Sequence, residues 1–170
     1  GPDRKGSMMT VPDNNVQVRM AGIEHLNLLV DFNVAMALET EKRELDPILV
    51  RSGVNAVLTG KGIGFYVVAE YTGLTVGGLL VTYEWSDWRN AYFWWIQSVY
   101  VLPTYRTVGV YRSMQRYVSL EARRGGACGL RLYVDKDNEV AQRVYSRMRM
   151  QRTHYDMFEL EFDRRPNGGR

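Results

Sequence analysis

A chain of 170 residues, 45% hydrophobic and 24% charged, suits one globular domain that can bury most of its apolar surface in a single core. A net charge of +3 without a dense basic block argues against a nucleic-acid partner. The absence of any apolar run near the roughly 20 residues of a membrane span argues against a membrane partner. The single cysteine, Cys128, rules out an internal disulfide, and its use as buried packing in a reducing, cytoplasmic compartment is the expectation. His25 and His154 stand far apart without a ligand cluster, so no metal is expected.

Residues 1–9 are set outside the fold, with Gly1–Ser7 reading as an expression remnant ahead of Met8 or Met9. The domain is expected over 10–163, and the Gly/Pro/Arg-rich stretch 164–170 reads as a flexible tail. Val16, Val18 and Met20 alternate with polar residues and predict a first strand. Ile23, Leu26, Leu29, Val30 and Ala37 recur at helical spacing. A second helix opens at an Asp46 cap with Pro47 in its first turn and closes at Gly60. Three strands follow as an antiparallel meander, Phe65–Glu70, Leu74–Glu84 and Ala91–Leu102, separated by turns at Tyr71-Thr72-Gly73 and Asp87–Asn90.

After Pro103 the period turns helical. Val110, Met114, Tyr117, Val118 and Ala122 form an apolar stripe opposite Arg112, Gln115, Arg116 and Arg123, and Gly125-Gly126 end it. Leu130, Leu132 and Val134 predict a fifth strand. Val140, Ala141, Val144, Tyr145 and Met148 mark a short helix, and Thr153–Phe162 a last strand. The order β-α-α-β-β-β-α-β-α-β predicts one α/β (α+β) domain with a mixed, mostly antiparallel central sheet flanked by helices. The unit from Ala91 to Val134 should be parallel.

Between the meander and the basic helix lies Tyr105-Arg106-Thr107-Val108-Gly109-Val110-Tyr111-Arg112. A helix N-terminus offers unpaired N–H groups and about half a positive charge. A glycine there lets the backbone approach a phosphate, and arginines add charge. This stretch resembles the cofactor motif of the GNAT superfamily of N-acetyltransferases, Gln/Arg-x-x-Gly-x-Gly/Ala, with Arg106 and Gly109 at the first two fixed positions. Tyr111 departs from the third, and Thr107 replaces a frequent glycine. Asn138, Ala141 and Tyr145 resemble the family's later motif at spacings of three and four, which share a helical face. Arg149 stands where the family often has glycine. The resemblance covers about Val16 to Phe162 and is strongest from Ile96 to Met150.

The resemblance implies acetyl-CoA as cofactor, its pyrophosphate held over Arg106–Arg112 (Arg106, Thr107, Val108, Gly109, Val110, Tyr111, Arg112). Its pantetheine arm would pair with Val99, Tyr100 and Val101 like an added strand and reach Asn138 and Ala141. Tyr145 would sit by the sulfur as general acid. Direct attack on the thioester needs a neutral amine, so a proton must leave it. Glu84 is the named candidate base, with Asp87, Glu39, Glu41 and Glu44 as others, and water relayed by Gln97 or Ser98 stands beside them.

The aromatic hairpin from Tyr83 to Trp95 reads as sheet packing, a homodimer contact, or a wall for a cationic substrate. Its likeness to spermidine/spermine acetyltransferases stops at Gln97-Ser98, where those enzymes carry an acidic pair. Glu39, Trp85, Gln97 and Ser98 are the expected substrate contacts. A small-molecule amine acceptor is the first reading. A protein lysine or N-terminal acetyltransferase is the second, and a non-catalytic acyl-CoA-binding sensor the third.

Overall fold

The computed structural model describes residues 15–164. The expected remnant at 1–9 and the tail beyond Arg164 therefore lie outside the described residues. The chain divides into two compact units, one ending at Tyr133 and the other beginning at Val134.

The first unit is built on β1 (Val16–Met20), α1 (Leu26–Glu41), α2 (Pro47–Leu58), β2 (Gly64–Tyr71), β3 (Leu74–Ser86), β4 (Ala91–Val101), α3 (Val110–Arg124) and β5 (Gly129–Arg131). The strands pair in the order β1-β2-β3-β4-β5. The first three ladders are antiparallel, and β5 runs parallel to β4. This is the mixed, mostly antiparallel α/β sheet expected from the order of elements. The parallel pair follows from the crossover through α3, because a hairpin cannot join parallel strands.

Alternation along the strands divides the core in two. Val67, Ala69, Val76, Leu79 and Val81 pack with Val110, Met114 and Val118 of α3. Tyr66 and Val68 pack with Leu29, Val30 and Phe32 of α1 and with Val54 and Val57 of α2. Each fully buried side chain of this size contributes about 1.5–3 kcal/mol. Helices α1 and α2 thus cover one face and α3 the other. Helix α2 opens as its sequence predicts, with the Asp46 carboxylate accepting from the Ile48 amide at 3.0 Å and Pro47 in the first turn.

Gly77 and Gly78 set how closely the helices approach. A β-carbon on Gly77 would lie 2.9 Å from Val110 Cγ1, and one on Gly78 would lie 2.9 Å from Leu29 Cδ2. The pair admits α3 on one face and α1 on the other.

The second unit carries α4 (Glu139–Arg147) and the chain that follows it. Arg149 adopts φ +66°, with the Met150 amide donating to the Tyr145 carbonyl. This left-handed helix stop is a position glycine favours.

Four expectations differ from the structure. The fifth strand stops at Arg131 instead of running to Val134, and Thr153–Phe162 joins no ladder among the described residues. Alternation decides which face a side chain would take but not whether a neighbouring backbone lies beside it. Gln115 is buried, not on the polar face, because the Tyr111 hydroxyl one turn earlier donates to its Oε1 at 2.6 Å and satisfies it. Cys128 is exposed, not packed inside, because it lies in the short connection before β5. No described helix is long and apolar enough to cross a membrane, and no metal-binding cluster occurs among the described residues.

Candidate functional site

The middle of β4 changes character at one residue. Val81 faces Ile96 and Leu80 faces Ser98, so Gln97 is an extra residue, a β-bulge. Before it, Trp94 and Ile96 turn toward α3; after it, Val99 and Val101 do. The bulge shifts the alternation by one and turns Ser98 and Tyr100 to the α1 face. Gln97 itself is exposed.

Strand β5 accompanies β4 only from Phe93 to Trp95. Beyond Trp95 the outer edge of β4 has no strand beside it among the described residues. The Leu102 amide donates to the Val76 carbonyl at 2.8 Å, so in an antiparallel ladder Ser98 and Tyr100 also bond toward β3. The peptide groups of Val99 and Val101 then face the open edge. The Val101 carbonyl accepts from Arg106 Nε at 3.0 Å.

Against the α1 face lies a narrow hollow of about 10 Å³, room for about one water molecule. Phe32, Asn33 and Met36 of α1, Tyr66 of β2, and Ser98 and Tyr100 of β4 line it, and its walls carry no ionisable carboxylate or amine. Phe32 and Tyr100 stack at 5.2 Å. The Asn33 amide donates to the Leu29 carbonyl at 2.9 Å and to the Tyr66 hydroxyl at 3.5 Å. Burial pushes the Tyr66 hydroxyl pKa up, with the Asn33 bond acting in the opposite sense. Of these residues only Ser98 and Tyr100 were singled out in the sequence. The signal that could have found the others is Gly77-Gly78 inside a strand, which marks a close approach.

One turn beyond Met36, Glu39 holds Arg106. Both terminal guanidinium nitrogens donate to the Glu39 carboxylate, one of them at 2.8 Å, and the guanidinium lies 5.5 Å from the Tyr100 ring centre. The Arg106 hydrogen bonds hold the Glu39 carboxyl below its ordinary value, burial opposing and the arginine's charge assisting. The same pairing raises Arg106. The structure therefore places Glu39 and Arg106 together as an ion pair between α1 and the loop after β4. The first arginine of the expected phosphate cradle is already partnered by a carboxylate.

Helix α3 opens without a side-chain cap. Gly109 precedes it at φ +80°, with no atom within 4 Å of the position a β-carbon would take. The first turn contains no acidic residue, so the amides and dipole at this end are not offset. Tyr111 directs its hydroxyl along the helix to Gln115, and Arg112 is exposed. Thr107 and Val108 lie in the turn leading to Gly109.

Glu84 and Trp85 lie elsewhere. Glu84 faces Phe93 and Trp85 faces Tyr92, four and five residues before the bulge on β4, or about 13–17 Å along the strand. The Glu84 carboxylate accepts from Trp95 Nε1, and from Arg131 at 3.1 and 3.2 Å. Arg131 in turn covers the Phe93 ring at 3.7 Å. Since Trp95–Arg131 is the last rung of the β4–β5 ladder, Glu84 braces the sheet where the two strands part. Trp85 packs edge-on against Tyr92 at 4.9 Å.

In the second unit, Asn138, Ala141 and Tyr145 share one face of α4. Asn138 caps that helix, its Oδ1 accepting from the Ala141 amide at 3.1 Å. Burial raises the Tyr145 hydroxyl above the ordinary tyrosine value.

The family model described as "Acetyltransferase (GNAT) family" matches residues 29–149. No curated protein matches the chain. Among solved structures, one described as a "possible acetyltransferase from Clostridium difficile 630" is 37% identical over 86% of this chain and 97% of its own, with a TM-score of 0.80. Two more distant structures share the fold. AAC(6')-Iy, an aminoglycoside N-acetyltransferase solved with CoA, is 13% identical over 86% and 94% of the two chains, TM-score 0.72. A ribosomal-protein-alanine N-acetyltransferase from Brucella melitensis biovar Abortus 2308 is 14% identical over 86% and 99%, TM-score 0.72.

Proposed function

Because the chain belongs to the GNAT acetyltransferase family, we propose that it moves an acetyl group from acetyl-CoA to the primary amine of a small molecule by direct attack. One observation carries this reading. Past Trp95 the outer edge of β4 carries no strand among the described residues, and it leads through a glycine at positive φ to a helix N-terminus without a side-chain cap. An extended arm ending in a diphosphate is the ligand shape that such an edge and such a terminus suit together. The open space at Gly109, where a β-carbon meets nothing, is consistent with close approach of that diphosphate.

When bound, acetyl-CoA supplies the activated acetyl thioester. In this reading the amides opening α3, from Val108 through Arg112, hold the diphosphate, with the exposed Arg112 adding charge. Arg106 acts differently, fixing the loop through Glu39 and the Val101 carbonyl. The outward peptide groups of Val99 and Val101 align the arm, with Tyr100 between them. Asn138, Ala141 and Tyr145 belong to the second unit and enter this reading by their resemblance to the family's later motif. The Tyr145 hydroxyl is the proposed acid that gives its proton to the departing thiolate.

The incoming amine must be neutral, so its ammonium proton has to leave. Ser98 and the exposed Gln97 at the bulge carry it away through water, while Glu84, paired with Arg131, serves the sheet.

Release of free thiol from acetyl-CoA across a panel of small amines, lysine peptides and N-terminal peptides tests the assignment. Turnover is expected with a small amine. Tyr145→Phe should lower kcat about 10²-fold while acetyl-CoA affinity stays within a few-fold. Turnover confined to the peptides would shift the acceptor to protein. Cofactor binding without turnover on any amine would identify a sensor.

A further inference from the structure

Two hydroxyls border the hollow between α1 and the sheet, and neither has an acceptor for its proton among the described residues. Tyr66 faces Leu80 and Leu80 faces Ser98, so the three form one row across β2, β3 and β4. Tyr66 packs against α1 and Ser98 lines the same hollow, which puts both on the α1 face. Tyr66 is 5% exposed. Its hydroxyl oxygen accepts from Asn33 Nδ2 at 3.5 Å, the one hydrogen bond it makes among the described residues. The orientation of Asn33 is fixed, because the Leu29 carbonyl can only accept and takes the same amide nitrogen at 2.9 Å. The Tyr66 oxygen is thus held as an acceptor, and its proton turns elsewhere. The Ser98 hydroxyl and Asn33 Oδ1 make no hydrogen bond among the described residues. A buried tyrosine hydroxyl with an unused proton costs stability that phenylalanine would spare, so its presence calls for a partner.

We propose that Tyr66 and Asn33 are positioning residues for the acceptor amine, acting on Ser98 through one water bound in the hollow. The inference rests on the acetyl-transfer reading and adds to it the groups that orient the amine. Space and bonding agree. The hollow has room for about one water. Such a water accepts the Tyr66 and Ser98 protons on its two lone pairs and donates one of its own protons to Asn33 Oδ1. That gives about three partners, the usual number for a buried water. With its proton committed to the water, Ser98 presents its lone pairs to the amine. It then accepts an N–H of the neutral amine, which leaves the nitrogen lone pair free to attack the thioester. Without the Tyr66 hydroxyl the water loses a partner and the Ser98 hydroxyl is no longer held in one orientation. Every residue in this network lies in the first unit.

Thiol release by wild type, Tyr66→Phe, Ser98→Ala and the double variant tests the proposal, with the amine varied at saturating acetyl-CoA. Tyr66→Phe keeps the ring and removes the hydroxyl. It should lower kcat/KM for the amine about 3- to 10-fold, the worth of one hydrogen bond, with acetyl-CoA affinity kept within a few-fold. In the Ser98→Ala background the same substitution should change nothing further, because Tyr66 acts through Ser98. A role in packing alone would instead add to the Ser98→Ala loss. Equal losses in both backgrounds, or no loss in either, overturn the proposal. Should Tyr66→Phe fail to fold, a crystal structure of the wild-type chain decides. An ordered water within about 3.2 Å of both hydroxyls is expected, and its absence, or a direct bond between the two hydroxyls, overturns the proposal. The underlying reading fails by a different result. Wild type that acetylates no amine sinks the transfer assignment and this proposal with it, whereas undiminished turnover by Tyr66→Phe sinks the positioning role alone.

Discussion

Arg106, the first arginine of the proposed cradle, is held by three partners within the protein. Its guanidinium is shared among the Glu39 carboxylate, the Val101 carbonyl and the face of Tyr100. In the proposed site, attraction for a diphosphate falls to the helix amides and Arg112, while Arg106 keeps α1 and the loop in register. The pair has a pH signature. Glu39 is held below its ordinary value of 4.5. Its contribution is therefore present above about that pH and is lost as the pH falls through the lowered value. Thermal unfolding of wild type and Glu39→Gln should differ at neutral pH, and the gap should close as the pH falls through the lowered value. A gap that stays constant would remove the ion pair as its cause. Both residues are about two-fifths exposed, so the effect should be modest.

Among the elements, β4 does most to position the site, and the bulge at Gln97 is the reason. One added residue sends Ser98 and Tyr100 to the α1 face and leaves the backbone of Val99 and Val101 toward the unpaired edge. Glu84 fixes where that edge begins by tying Trp95 to Arg131. Opposite Tyr100, Gly78 lets Leu29 and Phe32 of α1 press on the strand, with a β-carbon falling 2.9 and 3.2 Å from their side chains. Gly78→Ala should push α1 outward, costing about 1–3 kcal/mol in urea unfolding. Because the hollow lies between α1 and β4, the KM for the acceptor should rise while the affinity for acetyl-CoA is kept. An equal loss for both ligands would mean that the two sides of β4 do not act separately.

At the scale of the whole molecule, ligand binding should stabilise the chain in proportion to occupancy. Acetyl-CoA at about 100 times its Kd should add roughly 2.7 kcal/mol. The absence of a thermal shift at millimolar cofactor would remove the premise of the proposed site. Much of the framework was legible without coordinates. Helical spacing from Val110 to Ala122, the Asp46-Pro47 opening of α2 and alternation in β1 to β4 are local patterns, enforced within a few residues by backbone geometry and by the apolar stripe each element must bury. The glycine at 109 and the Asn138 cap were readable for the same reason. Other features depended on neighbours distant in the chain. Glu39 and Arg106 are 67 residues apart and Glu84 and Arg131 are 47, so no spacing rule could join them. The bulge that reverses the faces of Ser98 and Tyr100 exists only as a register against β3. The strand pattern of 153–162 states a capacity for pairing, which a neighbouring backbone must fulfil. Burial and hydrogen bonding between remote segments arise only when the chain is assembled, which is why those features emerged with the folded structure.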